Sequence, residues 1–375
     1  MRIGITCYPT YGGSGAIATE LGLALARRGH EVHFISYASP FRLRGFAERV
    51  YFHEVDTTIS RYPLFDHFPY TLALAAKQYE VSLREELEIL HVHYAIPHAT
   101  TAWLAREMLG AQHAVKVVTT LHGTDITLVG QESSFYQITK FSIEKSDEVT
   151  AVSAFLRDET YRTFGCVNCN VRVIPNFVNL EEYRPDPTVS REKMGPGKII
   201  THISNFREVK RVCDCIRVLA EARRTVDCEL WMAGDGPDRS AAERLAFELG
   251  VHPHLHFLGK QNHVELLIPQ CDVLLLPSRM ESFGLAALEA MACGVVPVAT
   301  RVGGVPELVT DGVDGFLEAV GDTTAQAARV VQILTDDALR TRLKWAARDT
   351  AESRFCTTRI IPRYEAYYQE VLARA

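Results

Sequence analysis

The chain alternates, twice over, between short β-rich runs and amphipathic helical stretches, and this restricts it to folds made of βαβ units around parallel sheets. In the first half, the runs 2–8 (RIGITCY), 31–36 (EVHFIS), 89–94 (ILHVHY), 116–123 (KVVTTLHG), 148–153 (EVTAVS) and 171–176 (VRVIPN) read as strands. Between the first two, Ile17, Leu21, Ala24 and Leu25 recur at helical spacing and the stretch stops at Gly29. The pattern breaks over 181–198, whose prolines, glycines and charges suit an exposed linker. It resumes with strand candidates at 198–204, 228–234, 254–259, 272–277 and 295–300, and helices near 324–334, 337–353 and 360–373 follow. The expected architecture is α/β, with two Rossmann-like doubly wound domains. In such sheets ligands sit beyond the carboxyl ends of the strands, so the residues just after each strand carry the chemical information.

Composition narrows the function classes. A formal net charge of −6 over 375 residues argues against a general nucleic-acid binder, which needs a surplus of Lys and Arg. Any anionic ligand must then meet a local cluster of cations. A strand begins almost at Met1, with neither a charged-then-apolar leader nor an apolar stretch near 18 residues, so a cytoplasmic protein without stable membrane insertion is expected. The nine cysteines lie mostly in apolar runs, as in a reducing compartment. The spacing of Cys166 and Cys169 suits a redox pair or half a zinc site, but there is neither a second pair nor a nearby His pair, and they are assigned no role.

Four loops stand out. After the first strand, Pro9 to Gly15 opens directly into a helix, so Gly13, Ser14 and Gly15 can offer backbone N–H groups to an anion or a sugar; a tight turn is the alternative. The fourth strand runs into His122-Gly123-Thr124-Asp125. The second domain opens with Asn205, Arg207, Lys210 and Arg211 at a helix start. Cations there oppose the helix dipole, which favours a diphosphate clamp over a solvated surface. Pro277 to Gly294 follows an apolar strand and carries Glu281 before a helix and Glu289 within it. Glu289 sits among small and apolar residues and needs a partner such as ribose hydroxyls, while the amides of Ser282, Phe283 and Gly284 can receive a phosphate.

Together, the Glu-x7-Glu spacing from Glu281 to Glu289, the basic loop at the start of the second domain and the Gly-rich first loop resemble the retaining glycosyltransferases of family four. The resemblance covers essentially the whole chain and implies the GT-B fold, two Rossmann-like domains facing a central cleft. It implies an N-terminal acceptor-binding domain at 1–180, joined by a returning helix at about 358–375, and a nucleotide-sugar-binding domain at 181–357. It places Glu289 on the ribose, Glu281 on the hydroxyls of the donor sugar, and Asn205 and Lys210 on the diphosphate with Arg207 nearby. His122 would line the sugar pocket, and Gly12 to Gly15 would meet diphosphate and acceptor. Many relatives carry Arg where Asn205 stands, which shifts the phosphate charge onto Lys210 and Arg207. The resemblance further implies UDP-N-acetylglucosamine as donor and L-malate as acceptor.

For a dianion such as malate, Ser14, Tyr94, Thr124 and Asn176 are the acceptor-side candidates, each following an expected strand. Apart from Asp125, the first-domain loops offer no obvious carboxylate nucleophile, so same-face attack through an oxocarbenium-like state is favoured over a covalent intermediate. There is neither an Asp-x-Asp triplet nor a clustered set of metal ligands, so no metal or other cofactor is expected. The rivals are a hexosyltransferase with a lipid or polysaccharide acceptor, a UDP-sugar epimerase on the same scaffold, and a regulatory protein that has lost catalysis. Homo-oligomerisation is left open.

Overall fold

Strands covered on both faces read as near-continuous aliphatic runs, and the central strands here are buried along their whole length: β4 (Ile89–His93), β11 (Val273–Leu276) and β12 (Val296–Thr300). The computed structural model describes residues 1–10, 12–57, 69–165, 170–186 and 197–374. They form two compact units, Met1–Asn176 with Ile360–Ala375, and Phe177–Arg359.

The first unit carries a seven-stranded sheet. Its strands are β1 (Arg2–Thr6), β2 (Glu31–Ser36), β3 (Val50–Glu54), β4, β5 (Lys116–Leu121), β6 (Glu148–Ala151) and β7 (Val171–Val173), in the spatial order β3-β2-β1-β4-β5-β6-β7, all parallel. The second unit has six parallel strands in the order β10-β9-β8-β11-β12-β13. They are β8 (Lys198–Ile203), β9 (Cys228–Ala233), β10 (Leu255–Gly259), β11, β12 and β13 (Phe316–Glu318). Each order reverses once, between β1 and β4 and between β8 and β11, and crevices for ligands open at such reversals.

Two strands escape the sequence pattern. Residues of β3 are all half-buried or exposed because the strand lies on an edge, and β13 is only three residues long. The run expected to continue through 94 stops at His93, because Tyr94 turns away with φ 92.

The helix Thr357–Ala373 buries Ile360, Tyr364, Tyr367, Tyr368 and Val371 within the first unit. The Tyr368 hydroxyl lies 2.7 Å from Nδ1 of His91, and that of Tyr367 donates to Oε2 of Glu148 at 2.8 Å. The Arg172 guanidinium sits 4.5 Å from the centre of the Tyr367 ring. Among the described residues, no helix is long and apolar enough to cross a membrane.

Candidate functional site

In the second unit, the loop leaving β8 is pinned by one side chain. Phe206 is fully buried, and its burial contributes about 1.5–3 kcal/mol. This anchor holds its neighbours Asn205 and Arg207 outward, both exposed. A single turn, Glu208–Lys210, follows. Arg211 instead turns inward with φ 52 and pairs with Asp214 at 2.6 Å, so it secures the next helix.

Lys210 Nζ donates to Glu281 Oε1 at 2.6 Å, and Ser278 Oγ donates to the same oxygen at 2.8 Å. The two side chains of the ion pair are 25% and 11% exposed, so the pair is sheltered yet reachable. The backbones of the two loops are also joined, Arg279 N–H donating to Val209 C=O at 2.8 Å. Beneath them lies the buried His202. Its Nδ1 is 2.9 Å from the Leu275 carbonyl, which can only accept, so Nε2 takes the hydroxyl proton of Ser204 at 2.7 Å. Burial pushes this imidazole down to about 4, so it is a neutral bridge between the ends of β8 and β11.

A third loop fixes Glu281 from behind. Gly304 N–H donates to the Glu281 carbonyl at 3.0 Å, and a Cβ on Gly303, at φ 55, would lie 1.9 Å from that oxygen. Only glycine allows this approach. After Ser282, Phe283 fills the space beside Phe355 at 5.5 Å, and Gly284, with φ 93, starts the helix Leu285–Ala292. First-turn N–H groups have no acceptor within their own helix. Glu289 lies on this helix and is 4% exposed. The structure therefore gathers Lys210, Glu281, Ser282, Phe283, Gly284 and Glu289 around the carboxyl end of β11, with the loop of Asn205 and Arg207 bonded to it. The Phe283 side chain serves packing.

In the first unit, the helix Gly13–Arg27 begins after β1 with Gly13 exposed and Ser14 half-buried; Tyr11 lies outside the described residues. A Cβ on Gly15 would lie 2.6 Å from the Tyr8 carbonyl. Tyr8 packs its ring 4.5 Å from His98 and 5.5 Å from Tyr94, and Tyr94 lies 5.4 Å from His122. Asp125 is 1% exposed and accepts from the N–H groups of Gly123, His122 and Ala95 at 2.9, 3.3 and 3.1 Å. Burial pushes its carboxyl up to about 6, while those three donors act in the opposite direction. Both oxygens are engaged in tying the β4 and β5 loops together.

A column of imidazoles runs behind His122. His91 stacks on His93 at 4.6 Å and His93 on His122 at 5.1 Å, with His93 Nδ1 2.8 Å from His122 Nε2. His98 Nδ1–H donates to the His93 carbonyl at 2.5 Å. Burial pushes His91 and His122 down to about 3, His98 to about 4, and His93 well below its ordinary value. All four are neutral at pH 7. The buried Nε2 atoms of His93 and His98 have no hydrogen-bond partner.

Of the acceptor-side candidates, Ser14, Tyr94 and Thr124 follow the neighbouring strands β1, β4 and β5, whereas Asn176 follows the edge strand β7, its Oδ1 buried without a partner. Cys166 and Cys169 lie outside the described residues. Sequence reasoning passed over Tyr8, His93 and His98; the available signal was His91 and His93 at alternate positions of an otherwise apolar strand.

The chain is similar to known proteins along nearly its whole length. The family described as Glycosyltransferase Family 4 matches residues 11–182, and that described as Glycosyl transferases group 1 matches residues 188–350. N-acetyl-alpha-D-glucosaminyl L-malate synthase of Bacillus anthracis is 46% identical over 99% of this chain and 97% of its own length. Among solved structures, sucrose-phosphate synthase from Thermosynechococcus elongatus superposes with a TM-score of 0.83 at 20% identity, covering 100% of both chains. Anabaena HepE in complex with UDP and glucose superposes with a TM-score of 0.80 at 20% identity, covering 99% of this chain and 100% of its own. At that identity the two structures establish the fold, which is GT-B.

Proposed function

The chain is a glycosyltransferase belonging to family four, and from that premise we propose that it moves N-acetylglucosamine from UDP-N-acetylglucosamine to the hydroxyl of L-malate, retaining the anomeric configuration. One observation carries the choice of substrates: the 46% identity to the Bacillus anthracis synthase, which extends through the N-terminal half, the half that in this reading binds the acceptor. The product, N-acetylglucosaminyl malate, begins the assembly of bacillithiol.

In this reading the second unit binds the donor. Glu289 accepts from the ribose hydroxyls, and Lys210, Arg207, Asn205 and the amides of Ser282 to Gly284 meet the diphosphate. Glu281 takes sugar hydroxyls with the oxygen not held by Lys210 and Ser278. The first unit supplies Gly13, Ser14 and Gly15, the hydroxyls of Tyr94 and Thr124, and the neutral ring of His122.

As the bond from the anomeric carbon to the β-phosphate oxygen breaks, the malate oxygen bonds to that carbon on the same face. The malate proton passes to the departing oxygen. Asp125 supports this scheme over a covalent intermediate, since its oxygens already serve three backbone donors. Cations and helix amides aimed at the growing phosphate charge are worth roughly 3–4 kcal/mol per well-placed donor. With that charge supplied by side chains, the scheme uses no catalytic metal. We place the reaction in the cytoplasm, which suits the free, buried cysteines.

The test is UDP release from UDP-N-acetylglucosamine in buffer containing EDTA, with and without L-malate. Strong malate-dependent release is expected. Release that ignores malate, or requires another hydroxyl acceptor, overturns the choice of acceptor, and complete dependence on added metal overturns the metal-free scheme.

A further inference from the structure

The pairing of β2 with β3, which the sequence pattern did not reveal, brings together residues distant in the chain. His33 on β2 and His53 on β3 approach with Nδ1 and Nε2 2.9 Å apart, their rings 20° from parallel. Glu85, directly after the helix Tyr70–Arg84, completes the group, and one ligand atom from each residue lies within 4.8 Å of the others. We propose that His33, His53 and Glu85 bind one divalent transition-metal ion, zinc fitting best, on the outer strands of the first unit.

Two imidazoles and a carboxylate are a donor set suited to zinc, with water completing a tetrahedron. Two nitrogens bound at 2.0–2.1 Å in that geometry sit roughly 3.4 Å apart, so the present contact need open by only about half an ångström. The place also favours a cation. It adjoins the carboxyl end of a 15-residue helix, where backbone carbonyls point outward. The charged groups facing the two rings are Glu31, Glu80 and Glu85 against Lys77 and Arg84.

The hydrogen bonds fix the tautomers and identify what competes with the metal. A guanidinium can only donate, so the Arg84 contact to His53 Nδ1 at 3.1 Å requires a lone pair on that nitrogen. His53 Nε2 then carries the proton and donates to His33 Nδ1. His33 Nε2–H is left buried without a partner, as observed. His33 therefore already presents a bare Nδ1. His53 must exchange tautomers to ligate through Nε2, and its new Nδ1–H would confront Arg84. Arg84, which also pairs with Glu85 at 2.7 Å, is the internal cation that the metal displaces.

The experiment titrates the chelator-stripped full chain with Zn²⁺ in competition with a chromogenic chelator. The wild type is compared with His53→Gln, Glu85→Gln and Arg84→Gln, and transfer activity serves as the check on folding. One equivalent is expected, with Kd raised at least tenfold by His53→Gln and several-fold by Glu85→Gln. Arg84→Gln should tighten binding, because it removes the competing charge and offers a carbonyl to His53 Nδ1–H. Co²⁺ should give tetrahedral-type visible absorption in the wild type and lose it in His53→Gln. Equal binding by the wild type and an active His53→Gln variant, or no bound equivalent in the wild type, overturns the site.

Discussion

Both units build the same reversal of strand order, yet they furnish it with opposite chemistry. At the end of β11 the second unit holds charges: Lys210 and Glu281, paired with each other, and the buried Glu289. At the ends of β1, β4 and β5 the first unit holds neutral rings: Tyr8, Tyr94, His93, His98 and His122. Topology sets where a ligand is met, and local side chains set what can be met there. A charged cluster suits a diphosphate, and a neutral, hydrogen-bonding wall suits sugar and acceptor hydroxyls.

The sharpest way to separate the units is acid. His91, His93 and His98 are buried with lowered pKa values, so below about pH 6.5 the unfolded chain binds protons that the native unit refuses. Stability is therefore lost as pH falls, at about 1.4 kcal/mol per pH unit for each ring, down to about pH 4 for His98 and about 3 for His91. Asp125, raised to about 6, acts with the opposite sign between roughly pH 4 and 6 and offsets one ring. Among the described residues of the second unit, His202 is the buried imidazole. Hydrogen exchange followed by mass spectrometry at pH 7 and pH 5 should show 89–99 losing protection before 198–204. Simultaneous loss would erase the contrast.

Next in size is the charge itself. Lys210→Ala should lower kcat by roughly 10²–10³, or about 3–4 kcal/mol, with the fold intact by circular dichroism. A loss below tenfold would move the phosphate role to Arg207. Smaller again is Gly303→Ala, which must displace the Glu281 carbonyl. About 1–3 kcal/mol of strain should appear as a lower urea midpoint and a raised KM for the donor. The smallest effect belongs to the neutral side: His93→Phe removes the group that orients His122. It should cost about 1 kcal/mol in kcat, roughly fivefold, while the KM for malate stays unchanged.

What could be read in advance follows from the length scale of each signal. Glycine stops, apolar runs and the Glu281 to Glu289 spacing are local, so two α/β domains and the charged loops of the second unit were legible from the chain. The imidazole column was not. His93 and His122 are 29 residues apart and meet only because β4 pairs with β5. The edge strand β3 was missed because an edge needs only one sheltered side, and its residues mix aromatic, His and Glu without a clean alternation. The grip of Gly303 on Glu281 is equally non-local, since glycine in a loop does not announce which carbonyl it approaches.

The returning helix has a consequence for synthesis. Tyr367 and Tyr368 close on Glu148 and His91, but they are translated only after every residue of the second unit. At roughly 5–20 residues per second, the ribosome keeps the first sheet waiting on the order of ten to forty seconds for its last helix. The second unit is one unbroken stretch and can finish during that interval. The domain begun first is completed last, and the nascent chain must protect a half-covered sheet in the meantime.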